Sequence, residues 1–306
     1  MGCATVKSPK KCSQTNERRI SPALEISEFK LLNHYVSLSL LGSGAFSEVI
    51  LAKHIPTQSF RALKIVSKSK LTSQHFFSWG TVREPYILQE INYPGVIKFY
   101  ECFDDLLNFY IVTEYCEGGS LFKKIKNSGR LSEENNVLIM YQLLKTVEYI
   151  HSHNIVHRDI KLENVLLACK QNIRIKLADF GNACHLTSDK KLTGCYGSAC
   201  YLAPEVYTNS YDEKVDIWSC GILFYVLLSG KSPYSCKDPC EIKHLVNTSP
   251  FQLNDTNTVG FSSIAIDLLQ LLLKIQPEQR ISASDALKHP LFENISMNLD
   301  ECSKDI

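Results

Sequence analysis

No stretch of this chain is apolar for long enough to cross a bilayer. The longest such run, Ile217 to Leu228, is well short of the roughly 20 residues a spanning helix needs, and it reads as a buried core helix. Excess charge of one sign is lacking too. Thirty-three basic residues against 32 acidic leave a net charge of +1, so no global field draws the molecule to nucleic acid, and no such partner is expected. An apolar signal segment is absent from the start, so the twelve cysteines are expected as free thiols in a reducing, cytoplasmic setting. The sequons at Asn247, Asn254 and Asn294 go unused there. A fourth zinc ligand is missing beside Cys236, Cys240 and His244, whose spacing fits a helical turn after the Pro233 loop. The calcium loop suggested by Asp255, Asn257 and Gly260 has Val259 and Ile266 where oxygen ligands belong, so it reads as a turn. No internal repeat is visible.

What is present suffices for a large core: 306 residues with 44% apolar composition fit one big domain or two packed lobes. Residues 1–33 are polar and aperiodic, with Lys7, Lys10, Lys11, Arg18 and Arg19 set against Glu17, and are expected to form a flexible basic tail. From Tyr35 onward, short β-branched runs (VSLSLLG, EVILAKH, RALKIV) separated by turn residues predict antiparallel hairpins. One helix, around Thr81 to Ile91, interrupts them before IKFYECF and FYIVTEY resume strand character. After Gly118 and Gly119 the pattern turns helical, with segments from Ser132 and Glu133 to His151, Tyr211 to Ser229 and Phe261 to Ile275. The division expected is a strand-rich lobe over 35–117, a helix-rich lobe over 118–294 and a short tail over 295–306.

Between the first two predicted strands stand Leu41, Gly42, Ser43, Gly44, Ala45, Phe46, Ser47, Glu48 and Val49. Glycines there let backbone N–H groups approach phosphate oxygens, although Ser47 stands where a third glycine would, and the segment taken alone reads as an ordinary hairpin. Ala62-Leu63-Lys64 follows on the next strand, then HRDIKLEN from His157 to Asn164, Asp179-Phe180-Gly181, Ala203-Pro204-Glu205, Asp216-Ile217-Trp218-Ser219-Cys220-Gly221 and Arg280. In this order and spacing, over about residues 35–294, the series resembles the eukaryotic protein kinase family.

That resemblance implies an α+β, bilobal protein kinase fold, with a small antiparallel-sheet lobe bearing one main helix and a larger, mostly helical lobe. It implies ATP and Mg2+ as cofactors and transfer of the γ-phosphoryl group to hydroxyls of protein substrates. Lys64 would hold the α- and β-phosphates, Asn164 and Asp179 the magnesium, and Asp159 would orient and deprotonate the acceptor. Lys161 would neutralise the γ-phosphoryl, and a lysine here resembles Ser/Thr kinases more than tyrosine kinases. Adenine would lie between Val49 and Ala62 on one side and Leu166 on the other, with hinge backbone at Glu114 and Cys116 and with Thr113 controlling depth. Glu84, ten residues before Pro94, matches the helix glutamate that pairs with the lysine. Pro85 complicates that role, because Thr81-x-x-Glu84 also reads as a capping box and a cap would leave Lys64 unpaired.

Within the family, HRDIKLEN, YLAPEVY, VDIWSCGILFYVLLSGKSPY and PEQRISASDALKHP resemble the calcium/calmodulin-dependent and calcium-dependent kinase group. No calcium module accompanies them in this sequence, so activity indifferent to calcium is expected. Glu163 keeps one carboxylate that such kinases use for an upstream arginine, while Ser120 replaces the other, which predicts a weakened basic preference. Arg158 precedes the catalytic aspartate and can pair with a phosphate on the activation segment; Thr193 is the candidate acceptor, against Thr187, Ser188 and Ser198 or no phosphate at all. Met1-Gly2-Cys3 resembles an acylation site, with Val6 where Ser or Thr is wanted, so Gly2 and Cys3 mark either a membrane anchor or a plain tail. A cytoplasmic monomer is expected, membrane-associated if acylated. The rival readings are a pseudokinase or scaffold that binds without transferring, for which the Pro85 helix is the one reason, and a small-molecule phosphotransferase.

Overall fold

The computed structural model describes residues 34–44, 47–71, 83–187, 189–234, 238–254, 256–293 and 295. The alternating runs after Tyr35 form β1 (Tyr35–Ser43), β2 (Ser47–His54), β3 (Phe60–Ser67), β4 (Phe99–Asp104) and β5 (Asn108–Glu114). They make one antiparallel sheet in the order β1-β2-β3-β5-β4. Side chains along a strand alternate between faces. Leu63, paired with Val112, therefore joins Ala52, Phe103 and Tyr110 in one buried cluster, while its neighbours Ala62 and Lys64 project from the opposite face with Thr113 and Ile111.

Between β3 and β4 lies α1 (Glu84–Glu90), which buries Ile87 and Leu88 in the main core. Pro85 falls in its first turn, where a backbone N–H would have no intrahelical acceptor, so its missing donor costs little. The Tyr86 and Ile87 amides return to the Arg83 carbonyl, which closes that turn behind the proline. Thr81, the other half of the expected capping box, lies outside the described residues.

The second lobe carries α2 (Leu121–Ser128), α3 (Glu133–Ser152), α4 (Lys214–Ser229), α5 (Pro239–Thr248), α6 (Ser263–Leu272) and α7 (Ala283–Ala286). Ser132 caps α3 by accepting from the Asn135 amide, and Ser262 caps α6 by accepting from Ala265. Thirteen of the 16 residues of α4 are buried, so the lobe is assembled around it rather than against one of its faces. It starts three residues later than expected because Tyr211 is drawn into a bridge with Leu192 and Asp212 accepts from the Lys214 amide. Similarly, α6 is shorter at both ends than the segment Phe261 to Ile275.

Two small antiparallel sheets hold the segments that carry the motifs. One joins β7 (Ile155–Val156) to β10 (Cys184–His185), and the other orders β6 (Gly119–Ser120), β8 (Val165–Leu167) and β9 (Ile175–Leu177) as β6-β8-β9. HRDIKLEN runs from β7 to β8, and Asp179-Phe180-Gly181 from β9 to β10, so both motifs are held at each end by paired strands. Cys240 and His244 lie on α5, Cys236 lies outside the described residues, and among the described residues no three metal-binding side chains cluster. Asn254 accepts from the Thr256 and Asn257 amides, which makes the expected turn. Among the described residues no helix is long and apolar enough to cross a membrane.

Candidate active site

The register of β3 sets Lys64 beside Val49 on β2 and Ile111 on β5, and its Nζ lies 2.6 Å from Glu84 Oε2 and 2.6 Å from Asp179 Oδ1. Glu84 is therefore engaged with the lysine rather than with its own helix end. The Phe180 amide also donates to its carboxylate, tying α1 to the segment that presents Asp179. Burial opposes the charge on Lys64, but Asp179 and Glu84 outweigh it and hold the ammonium above its usual range. The lysine in turn holds Asp179 down at about 2, while burial pushes Glu84 upward.

Asp216, at the start of α4 and fully buried, organises the catalytic loop from below. Its Oδ2 accepts from the His157 amide at 2.8 Å and from His151 Nε2 at 3.0 Å, and its Oδ1 accepts from the Arg158 amide at 2.8 Å. Burial alone would raise its pKa, yet these donors outweigh it and keep the carboxyl below its ordinary range. His157 accepts from the Asp159 amide through Nδ1 and donates to the Ala178 carbonyl through Nε2, an arrangement only the neutral Nε2–H tautomer satisfies. The Asp159 carboxylate emerges from this frame with both oxygens supported. Lys161 Nζ donates to Oδ2 at 2.8 Å, Ser198 Oγ donates to Oδ1 at 3.0 Å, and Asn164 Nδ2 donates to the Asp159 carbonyl at 2.9 Å.

Above the loop, Ala62 faces Thr113 in the β3–β5 register, and Leu166 is half-buried on β8. Leu41, Gly42, Ser43 and Gly44 lead from β1 toward the tip of the hairpin, and Ser47, Glu48 and Val49 return on β2; Ala45 and Phe46 lie outside the described residues. A Cβ built on Gly42 would meet nothing within 4 Å, so the hairpin leaves open space beside its backbone. At the hinge, the Glu117, Gly118 and Gly119 amides close on the carbonyls of Ala168, Leu167 and Cys116, which leaves the Cys116 amide outside those turns. Lys123 on α2 donates to the Leu41 carbonyl at 2.8 Å, bridging hairpin and second lobe.

The donor set suits magnesium, a hard cation that prefers oxygen. Asp179 offers a carboxylate that is 43% exposed, and Asn164 spends its amide nitrogen on Asp159, which leaves its oxygen for a cation. Glu163 is exposed beside Tyr201 and Cys200, and Ser120 accepts from the Lys123 amide as the cap of α2. Thr193 is exposed, whereas Arg158 is buried and faces other partners. Gly2 and Cys3 lie outside the described residues.

Three contributors were not foreseen from the motifs. Asp216 was visible only as part of a family stretch, and Ser198 only as a rival phosphate acceptor. His151 carried no signal beyond closing a helix. Farther out, Arg280 is fully buried and donates to both oxygens of Glu205, which anchors the Ala203-Pro204-Glu205 stretch.

A family model described as protein kinase domain matches residues 35–292. Over 278 residues the chain is 35% identical to calcium-dependent protein kinase 4 of Plasmodium berghei, covering 90% of this chain and 52% of that protein. It is 35% identical over 276 residues to serine/threonine-protein kinase cds1 of Schizosaccharomyces pombe, covering 86% and 59% respectively. It is also 37% identical over 264 residues to calcium-dependent protein kinase 3 of Plasmodium yoelii yoelii, covering 85% and 48%. The chain spans about half the length of the curated relatives it matches.

Proposed function

The chain belongs to the protein kinase domain family, and on that premise we propose that it transfers the γ-phosphoryl group of ATP, with magnesium, to serine or threonine hydroxyls of protein substrates. The observation that carries this reading is the contact of Lys64 with both Glu84 and Asp179 at 2.6 Å, because Pro85 was the one feature that argued for a binding-only module.

Phosphoryl transfer spreads negative charge over the moving group, so the protein's task is positioning and cationic support. Lys64, fixed by two carboxylates, presents its ammonium to the phosphates. Bound magnesium supplies charge neutralisation at the phosphate oxygens, and Asp179 and Asn164 are the residues that would hold it. Asp159 accepts the proton of the acceptor hydroxyl as the new phosphorus–oxygen bond forms and the bond to the β-phosphate oxygen breaks. Ser198 and Lys161 fix the rotamer of that carboxylate; Oδ2 accepts from both Lys161 and Asn164, whereas Oδ1, which accepts from Ser198, still has a lone pair for the incoming hydroxyl. Lys161, next to Asp159, is also within reach of the group in flight. Glu205 and Arg280 support a platform for a protein substrate, which disfavours a small-molecule acceptor.

The test is transfer of radiolabelled phosphate from ATP to a generic protein, with Asp159→Asn as the control, in the presence and absence of calcium and calmodulin. Transfer that needs Asp159 and ignores calcium supports the reading. No transfer under any condition, by protein that melts cooperatively, refutes it. Acylation at Gly2 and Cys3 is a separate proposal, refuted if Gly2→Ala leaves the membrane fraction unchanged.

A further inference from the structure

Arg158 has the residue type and place to receive a phosphate, yet its guanidinium is enclosed by uncharged groups. Its backbone adopts φ 65°, a left-handed conformation held by the bond from its amide to Asp216. From there the side chain runs into the activation segment. Nε donates to the Asn182 carbonyl at 2.6 Å, and the guanidinium carbon stands 4.0 Å from the centroid of the Tyr196 ring. The guanidinium also reaches the Tyr211 hydroxyl at 3.4 Å, and that hydroxyl donates onward to the carbonyls of Gly194 at 2.9 Å and Thr193 at 3.2 Å. The Tyr211 backbone is paired in both directions with Leu192.

Residues 192–197 are thus tied to the core through two rings and a set of carbonyls. Glycine is required at two of these positions. A Cβ on Gly194, at φ 88°, would stand 2.4 Å from the Tyr196 ring, and one on Gly197, at φ 104°, would stand 2.4 Å from the Arg158 carbonyl. The next residue is Ser198, which bonds to both Asp159 and Lys161. Gly197 alone therefore separates the ring that covers Arg158 from the hydroxyl that supports the catalytic base.

We propose that Tyr196, stacked on Arg158 and backed by Tyr211, is the positioning residue that orders the activation segment, so that this chain transfers phosphate without itself carrying phosphate on that segment. A cation against an aromatic face in a water-poor setting supplies the attraction that a phosphate would otherwise provide. The exposed Thr193 side chain takes no part, since its contribution is its carbonyl. The inference rests on the kinase reading above.

The experiment treats the full chain with phosphatase until mass spectrometry finds no phosphate, then measures transfer to a generic protein and the rate of trypsin cleavage after Lys190 and Lys191. Phosphate-free wild type and Thr193→Ala are expected to retain full kcat. Tyr196→Phe, which keeps the ring, should stay within twofold. Tyr196→Leu should lose tenfold or more in kcat, with KM for ATP unchanged, KM for the protein raised and tryptic cleavage at least fivefold faster. Loss of activity on dephosphorylation, restored by rephosphorylation, overturns the proposal, as does Tyr196→Leu with wild-type kcat and cleavage. If wild type transfers nothing in either state, the kinase reading fails, and the cleavage comparison still decides the clamp: equal rates overturn it. Should Tyr196→Leu fail to fold, the dephosphorylated wild type and Tyr196→Phe decide it.

Discussion

Glu84→Gln separates the charge of the Lys64 cluster from the packing of its helix. The substitution keeps the size of the side chain and an oxygen for the Phe180 amide, but removes the negative charge that faces the ammonium at 2.6 Å. The Lys64 and Glu84 side chains are only 18% and 7% exposed. In such a setting, removing one partner of an ion pair costs about 3–5 kcal/mol, because the survivor is left buried and unneutralised. Lys64 keeps Asp179 at 2.6 Å, and that carboxylate is 43% exposed, so part of the penalty is offset. About half of it, roughly 1.5–2.5 kcal/mol, is the expected loss, which lowers kcat/KM for ATP about 10- to 70-fold. The assay is initial-rate transfer at varied ATP, with a thermal melt to verify that α1 remains folded. Combined with Lys64→Met, the second substitution should add little, since the two residues act as one unit. A Glu84→Gln enzyme within twofold of wild type, or losses that simply add, would refute the reasoning.

Three further outcomes follow from the geometry. Glu205→Ala should lower stability by about 3–5 kcal/mol in urea unfolding, because Arg280 is fully enclosed and loses its only anionic partner among the described residues; an unchanged midpoint contradicts this. The Asp179 carboxyl is held at about 2 by Lys64, below its value in the unfolded chain, so its stabilising contribution is complete above about pH 4 and is lost as pH falls toward 2. Asp179→Asn should accordingly flatten the melting temperature against pH between about 4 and 2 and leave the slope from pH 5 to 9 unchanged; an effect confined to neutral pH counts against the assignment. In a positional peptide library the wild type should show no strict arginine selection three residues before the acceptor, and Ser120→Glu should introduce it, whereas strict selection by the wild type removes the role given to Ser120.

The chemistry was more legible in the sequence than the geometry that supports it. Asp159, Lys161, Asn164 and Asp179 could be named because phosphoryl transfer needs a base, a cation and oxygen ligands, and short motifs carry all of these. Whether Glu84 reaches Lys64 was not readable, because periodicity does not fix where the first turn of a helix falls, and a proline is harmless in that turn and disruptive one turn later. The surroundings of Arg158 were hidden for another reason. Its aromatic cover comes from Tyr196 and Tyr211, whose approach depends on the left-handed backbone at Arg158 and on Gly194 and Gly197. Hydrophobic patterning reports burial and carries no record of such pairings. Tyr211 was expected inside the helix that runs to Ser229, yet the bridge to Leu192 takes its backbone first.

One anchor could have been read in advance. The run from Ile217 to Leu228 identified a buried helix, and a buried helix can keep a polar side chain only where hydrogen bonds satisfy it. Asp216 and Ser219 stand three residues apart at the start of that helix, so they share a face, and both are buried. Asp216 binds the backbone of the catalytic loop, and Ser219 Oγ donates to the Tyr201 carbonyl at 2.8 Å, which fixes the far end of the activation segment. Trp218, between them, lies 5.1 Å beneath the Arg280 guanidinium that holds Glu205. A single turn of α4 therefore sets the relative positions of the loop that carries Asp159, the stretch that carries Glu205 and the segment between them. Substitutions on this turn should couple to one another in transfer rate.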